Sequence, residues 1–514
     1  MTPLNYTYVK CFSLSWIALA LTGLVSLSAR LPAASYQPSN SQPPPIEREF
    51  RGVWVASVGN IDWPSKQGLT TEEQQKELRA LLDTAVKLNL NAVILQIRPC
   101  CDALYASKLE PWSEYLTGTM GKAPEPYYDP LEYAVTEAHK RGLELHAWFN
   151  PYRARNTAAK SPVAANHISK TKPDLVKKYG GFLWLDPAEQ AVQEHSLSVI
   201  RDVVQRYDVD GIHIDDYFYP YKVKDPQGKV VDFPDDTSWQ RYKKNGGKLE
   251  RDDWRRDNVN TFIEKLYKTI KAEKPWVKFG ISPFGIWRPG FPKEIKGFDA
   301  YAELYADAKK WLEEGWCDYF TPQLYWGVSE TNQSYPILLN WWTTVNKQGR
   351  HLWPGNNLDK IDAKWPIADF QQQIELTRKE KGSTGNVFWH LKPLAADKGK
   401  VQGLLEQKLY LDNAIVPASP WLSQVAPAKP KLIVQSVSNT EDIEINWSMD
   451  AGQPLQNWVL QVKRNGRWET HVYGSSTTRA KVKAIGGKPA DVIALTAVNR
   501  FGQASAPMVF AKSN

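Results

Sequence analysis

The side chains best suited to moving protons are concentrated in Asp210-Gly-Ile-His-Ile-Asp-Asp-Tyr-Phe-Tyr-Pro220. Asp is a poor strand residue, so two carboxyls directly after an apolar run ask for a reason. Side chains alternate along a strand. His213 and Asp215 therefore share one face, and Ile212, Ile214 and Asp216 share the other. A carboxyl at the mouth of an apolar interior can serve as acid, base or nucleophile. Asp215 is the leading catalytic candidate. Asp216 is a second candidate, although alternation turns it away from its neighbour. The plainer alternative is that the pair opens a loop or meets an arginine.

Polar and aromatic groups gather at the ends of other apolar runs. Gln96-Ile-Arg98 leads to Asp102, with Gln96 and Arg98 on one face. His146, Trp148 and Asn150 share a face just before Arg153, and Gln323, Tyr325 and Trp326 close a later run. Trp63, Trp112, Trp148, Trp287, Trp326 and Trp389 fall at or just past such ends, in a chain with 22 tryptophans. Flat rings beside Asp, Asn, Gln and Arg suit sugars, which stack on one face and hydrogen-bond at the edge. Three or four of these six are expected to line a site. The proposed substrate contacts are Trp63, Arg98, Trp148, Asn150, Arg153, His213, Gln323, Tyr325, Trp326 and Trp389.

Glycoside hydrolysis uses two carboxyl groups. With Asp215 as one, the loop candidates for the other are Asp62, Asp102, Glu110, Glu114, Asp186 and Glu330. Asp102 is preferred for its place beside Arg98. No histidine pair or Cys-x-x-Cys has metal-ligand spacing, so neither metal nor cofactor is expected. A Gly-x-Ser-x-Gly nucleophile elbow is also missing from the sequence.

Elements at suitable spacing can position these groups. Strands are expected at Arg51–Ser57, Asn91–Arg98, Leu143–Pro151, Val209–Tyr217, Val277–Ile286, Cys317–Trp326, His351–Gly355 and Asn386–Leu391. Helical periodicity falls between most of them, at Thr71–Asn89, Pro130–Gly142, Pro187–Tyr207, Trp254–Lys274, Tyr301–Gly315 and Ala368–Lys381. Apolar strands joined by helices imply a buried parallel sheet. Eight such units predict an α/β fold, a (β/α)8 TIM-type barrel over residues 49–414, with its site at the C-terminal strand ends. A doubly wound sheet is the alternative, but no Gly-rich phosphate loop follows the first strand. Residues 35–48 and 415–430 are proline-rich and read as linkers. Residues 431–514 carry strand signals alone, with Asn465-Gly466 as a turn, which predicts a small all-β C-terminal sandwich. Trp447 and Ala494-Leu-Thr-Ala-Val-Asn499 resemble a fibronectin type III domain.

At the N-terminus, Lys10 precedes the apolar run 11–27 and small residues follow. Residues 1–34 read as a secretory signal, or alternatively as a single uncleaved membrane anchor, and either predicts export. The net charge of +8 is spread without a Lys/Arg block, which argues against a nucleic-acid partner. Cys100, Cys101 and Cys317 do not form a disulfide framework. Packing of adjacent Cys100 and Cys101 is expected over a strained bridge.

Glu49-Phe-Arg-Gly-Val-Trp-Val-Ala-Ser57, Asp102-Ala-Leu-Tyr-Ala-Ser107, Leu145-His-Ala-Trp-Phe-Asn-Pro-Tyr-Arg153, Gly211-Ile-His-Ile-Asp-Asp216 and Pro322-Gln-Leu-Tyr-Trp326 together resemble the glycosyl hydrolase-like 10 family over residues 47–395. The resemblance implies an exported bacterial glycosidase-like barrel and a polysaccharide partner. Peptidoglycan glycan strands stripped of peptides are the implied substrate. Gly211, His213 and Asp215 are also similar to the Gly-x-Arg-x-Asp strand of the α-amylase clan. His213 stands in place of its Arg, and the fifth-strand Glu is missing. The expected activity is hydrolysis of O-glycosidic bonds. The alternative is a non-catalytic glycan-binding protein on a degenerate barrel.

Overall fold

The computed structural model describes residues 35–437, 440–450 and 454–513, so the leader expected at residues 1–34 lies outside it. Its centre is a parallel sheet: β1 (Phe50–Val55), β2 (Ala92–Arg98), β3 (Glu144–Phe149), β4 (Gly211–Ile214), β5 (Lys278–Ile281), β6 (Tyr319–Phe320), β7 and β8 (Gly385–Trp389). β7 comes in two pieces, His351–Leu352 and Gly355–Asn357, separated by Trp353-Pro354. The first piece pairs with β6 and the second with β8, and β8 pairs with β1. The two free edges thus belong to one strand, and the sheet closes as an eight-staved barrel.

Helices cover the outside. The first, α1 (Thr71–Lys87), opens on a capping box in which Thr70 and Glu73 satisfy each other's backbone N–H. It buries Leu78, Leu82 and Ala85, residues at helical spacing. The expected helix over 301–315 is split into Ala300–Glu303 and Ala308–Glu313, because Tyr305 takes a left-handed backbone between them. A helix not expected from the sequence, Tyr335–Val345, joins β6 to β7.

The inward side chains of the strands form a directed line of hydrogen bonds through the barrel core. The Trp54 indole N–H donates to Nε2 of His213 at 3.1 Å. An indole cannot accept, so Nε2 must be the acceptor and the single proton of the neutral ring sits on Nδ1. That proton points at the Tyr319 hydroxyl at 3.0 Å. Tyr319 then donates to Nδ1 of His146 at 2.8 Å, and Nε2 of His146 meets Glu144 at 3.0 Å. Lys278 closes the line on Glu144 at 2.9 Å. Burial first, and His146 second, holds the His213 pKa well below its ordinary value, in keeping with a neutral ring.

The C-terminal residues build a β-sandwich. One sheet holds Lys431–Ser436, Ile443–Ser448 and Arg479–Val482. The other holds Leu455–Arg464, Arg467–Gly474, Val492–Asn499 and Met508–Lys512. Two corrections concern the expected linkers. Within 35–48, Tyr36–Pro38 adds an antiparallel strand against Met508–Lys512. Within 415–430, Ile415 bridges to Arg48, Ser419 bonds His351 at 3.1 Å, and the Trp421 indole donates to Asp318 at 2.9 Å. Proline excluded regular helix from both segments without keeping them from packing. The sandwich seats on the N-terminal end of the barrel. There Arg500 reaches Asp208 at 2.7 Å and the buried Asp210 at 3.0 Å.

The polar line leaves no room for extra atoms. A Cβ on Gly280 would lie 1.8 Å from the Tyr319 ring. Gly280→Ala should therefore cost about 3 kcal/mol of barrel stability by overpacking. Chemical unfolding checks this, and an unchanged midpoint would mean that the ring has free space.

Candidate active site

The strand ends converge on a cavity of about 450 Å³ at the C-terminal mouth of the barrel. Its floor is aromatic. Trp54, Trp148 and Trp389 meet edge to face with centroids 6.1–6.2 Å apart, and His213 packs against the first two. Tyr217, Tyr221, Phe284 and Tyr325 contribute walls.

Asp215 and Asp216 both line this space. Alternation would have separated them, but β4 ends at Ile214, one residue short of the pair, so the rule no longer governs their directions. The Asp215 carboxylate accepts from the Trp148 indole at 3.1 Å, from Asn150 Nδ2 at 3.2 Å and from the Tyr217 backbone N–H at 3.2 Å. Asn150 is held in that orientation because its own Oδ1 accepts the Arg153 backbone N–H at 2.7 Å. Asp216 accepts from the Tyr221 hydroxyl and, at 3.1 Å, from Gln323.

Burial in this aromatic site lifts the Asp215 pKa to about 7; Arg153 pulls it back and Asp216 pushes it further up. Arg153 is anchored on the Pro99 carbonyl at 3.1 Å and lies 5.0 Å over the Tyr217 ring. The Asp216 pKa is also raised, again mainly by burial, against its bonds to Tyr221 and Gln323. The site therefore offers one carboxyl that exchanges its proton near neutral pH and a second beside it, set in a socket shaped for flat rings.

Of the other expected contacts, Trp148, Arg153, His213, Gln323, Tyr325 and Trp389 line the cavity, and Asn150 stands behind Asp215. Trp63 does not reach it: the ring is fully buried and donates to the Gln74 carbonyl at 2.9 Å. Trp326 packs on Phe284 outside it. Trp112 and Trp287 lie elsewhere too, the first edge to face with Tyr127 and the second stacked on Trp341. Arg98 is turned away by an irregularity in β2. Gln96 pairs with Trp148, yet Arg98 pairs with the very next residue, Phe149. That extra residue breaks the alternation. Arg98 instead makes a buried ion pair with Glu110, 2.7 Å from its Nε. Asp102 follows a chain that folds back, with Leu104 N–H on the Ile97 carbonyl at 2.9 Å. Its buried carboxylate accepts the Cys100 N–H at 2.8 Å instead of facing the cavity, and burial raises its pKa to about 6. Cys100, Cys101 and Cys317 are buried and unbridged.

Several lining residues were not singled out from the sequence, among them Asn156, Tyr221, Ser282 and Phe284. Gln96, placed at a strand end by the sequence but not among the expected contacts, is the most pointed case. It is fully buried and lines the cavity. Its Oε1 accepts from Ser57 and Val58 N–H at 3.1 and 2.9 Å, while its Nε2 has no partner among the described residues. An unmet donor at a cavity wall can bond a ligand or a water.

A closed parallel barrel with buried carboxyls and an aromatic floor at its C-terminal mouth defines a glycosidase-type barrel. Comparison with known proteins makes the class particular: the chain belongs to the glycosyl hydrolase-like 10 family, whose model matches residues 49–373. It is 43% identical over 398 residues to the glycosyl hydrolase YngK of Bacillus subtilis, covering 75% of this chain and 76% of that one. It is 34% identical over 410 residues to the glycosyl hydrolase DigH of Escherichia coli, covering 73% and 91%. Among solved structures, the catalytic domain of β-amylase from Paenibacillus polymyxa is similar at a TM-score of 0.48 and 13% identity, covering 71% of this chain and 99% of that one.

The raised Asp215 pKa has a consequence for stability. A carboxyl that ordinarily ionises near 3.8 but here near 7 binds its proton more tightly in the folded state. Its contribution is therefore intact below the ordinary value and is lost as pH climbs through the folded one. That difference corresponds to roughly 4 kcal/mol once pH exceeds 7. Asp215→Asn cannot ionise, so between pH 4 and pH 8 the variant should gain on the wild type by up to that amount. Unfolding midpoints measured across the range check this; parallel curves would show that Asp215 ionises normally.

Proposed function

We propose that this chain hydrolyses O-glycosidic bonds in a cell-envelope polysaccharide, with the glycan strands of peptidoglycan as substrate. The observation that carries the reading is a carboxyl with a pKa near 7 on an aromatic floor at the barrel mouth. The Trp148 and Trp389 rings offer apolar surface to a sugar ring. Arg153, Gln323 and Gln96 offer hydrogen bonds to its edge. Asp215 in its protonated form gives a proton to the departing glycosidic oxygen and afterwards takes one from water. The names borne by YngK and DigH support hydrolysis of a glycoside as the activity. The envelope assignment rests on the sequence resemblance and on the leader expected at residues 1–34, which makes the protein exported, as a free or anchored form. The C-terminal sandwich is read as fibronectin type III-like.

The test is to incubate the purified chain with intact and with peptide-stripped peptidoglycan and to weigh the released sugars by mass spectrometry. Stripped strands should be shortened. Turnover should fall as pH rises above about 7, as the acid form of Asp215 is lost. Asp215→Asn should lower kcat by about 100-fold or more while glycan binding persists. Full activity in that variant would remove Asp215 from the chemistry. Binding without any cleavage by the wild type would favour a glycan-binding protein.

A further inference from the structure

The carboxyls of the cavity stand in an unusual relation for a glycosidase. Catalysis by two enzyme carboxyls places them on opposite sides of the scissile bond, about 5–5.5 Å apart for retention and about 6.5–9.5 Å for inversion. Among the residues lining this cavity the carboxyls are Asp215 and Asp216, neighbours on one wall. Their Cα atoms are consecutive, about 3.8 Å apart, so both side chains rise from one point of the rim, at the end of β4.

The other acids that loop position put forward are committed elsewhere. Asp62 is held by Ala56 N–H at 2.8 Å and His390 at 2.6 Å. Glu110 is paired with Arg98 and with His195 at 2.8 Å. Glu114 accepts the Lys160 and Ser161 N–H groups at 2.8 Å, and Asp186 accepts from Ser238 at 2.7 Å. Glu330 lies exposed on its loop. A carboxyl that could act from across the mouth is thus missing from the cavity lining. Asp359 stands outside that lining. It is half-exposed, 3.4 Å from His390 Nε2, and acts electrostatically on Tyr325 without lining the cavity.

We propose that the missing nucleophile is supplied by the substrate: the cavity cleaves a β-linked 2-acetamido sugar, using the sugar's own amide oxygen, with Asp216 holding the amide and Asp215 serving as acid and base. This rests on the hydrolase reading above and adds its substrate class and route. Participation needs the leaving group trans to the 2-acetamido group, which for a gluco-configured ring is the β-linkage. In the first step the acetamido oxygen forms a bond to C1 as the C1 to glycosidic oxygen bond breaks. The Asp215 proton passes to the leaving oxygen, and Asp216 takes the amide N–H proton, leaving a neutral oxazoline. In the second step water adds to C1 and gives its proton to Asp215. The C1 to amide oxygen bond breaks, and Asp216 returns its proton to nitrogen. Net, one water is consumed and both carboxyls end as they began, with the configuration at C1 retained.

The surroundings fit a bound acetamide. Asp216 is aimed by Tyr221 and Gln323 and has acceptor capacity left for an N–H. The unpartnered Nε2 of buried Gln96 is a free donor on the same lining, and the Trp54, Trp148 and Trp389 floor provides an apolar seat for a methyl group.

The experiment uses the full chain with peptide-stripped glycan strands that have been de-N-acetylated and re-acylated with either acetyl or trifluoroacetyl groups. Fluorine drains the amide oxygen of nucleophilicity, so trifluoroacetyl strands should be cut more than about tenfold more slowly. Proton NMR should show the β-anomer as the first product. Asp216→Asn should slow cleavage by about 100-fold or more, whereas Asp359→Asn should stay within about threefold of the wild type. Equal rates on the two strands, an inverted product, or loss of activity in Asp359→Asn would overturn the participation route while leaving the hydrolase reading intact. Failure to cut either strand would overturn both.

Discussion

The interior of the barrel is organised by the Trp54 indole, a group that can donate a hydrogen bond but never accept one. Its bond to His213 settles which ring nitrogen carries the proton, and with it the sense of every bond down to Glu144 and Lys278. A parallel barrel usually fills its interior with branched apolar side chains. Here imidazole and phenol rings occupy that volume, and they fit because glycine faces them: a Cβ on Gly211 would come within 2.5 Å of His146. Buried polar groups are costly unless satisfied, so a line of this kind tolerates one arrangement and rejects others. The top of the line, Trp54 and His213, is also the cavity floor. The rigidity of the core is in this way handed to the surface on which a sugar would lie.

The same burial sets the chemistry. Asp215 and Asp216 sit among Trp148, Trp389, Tyr217 and Tyr325, only 5% and 6% exposed, where a carboxylate is poorly solvated. Desolvation outweighs Arg153 and the Tyr217 and Asn150 hydrogen bonds, which favour the charged form of Asp215. Loss of those donors would push its pKa further up, and loss of the burial would let it fall back toward the ordinary carboxylate value. The balance between them places its proton exchange near neutrality. Arg153 tunes the balance from the anion's side and is itself constrained by Pro99 and Tyr217.

Much of this was legible in the sequence. The apolar runs and helical stretches located the barrel, and alternation put His213 on its inner face. What stayed hidden has local causes. Alternation applies only inside a strand, and it failed at Asp216 because β4 stops at Ile214. It failed at Arg98 because of one extra residue against β3, which hydropathy does not register. The helix Tyr335–Val345, which includes Trp341-Trp342 and Thr343-Thr344, shows little of the polar face that marks an amphipathic helix. Trp54 is 2% exposed and belongs to the core, yet it also lines the cavity. Asp102 and Trp63 were placed by nearness along the chain to a strand end, but a loop's return path decides which end residues reach the mouth.

The two ends of the barrel are divided between two tasks. Asp208, Asp210 and Asp318 stand just before β4 and β6, and they receive Arg500 and Trp421 from the C-terminal part of the chain. Asp210 also accepts the Leu145 backbone N–H at 2.7 Å and bonds His139 at 2.8 Å, so it ties the start of β3 to the sandwich. Coulombic attraction to His139 and Arg500 outweighs its burial and holds its pKa well below the ordinary carboxylate range. The sandwich therefore grips the barrel through ion pairs at the end remote from Asp215, and none of its residues lines the cavity. Among the described residues, the mouth is built from the barrel strands and the loops that follow them. A glycan strand lying across it would meet Trp389 and Tyr325 without first meeting the sandwich. Through Asp210 the sandwich is tied to β3 and β4, the strands that carry Trp148 and lead into Asn150 and Asp215.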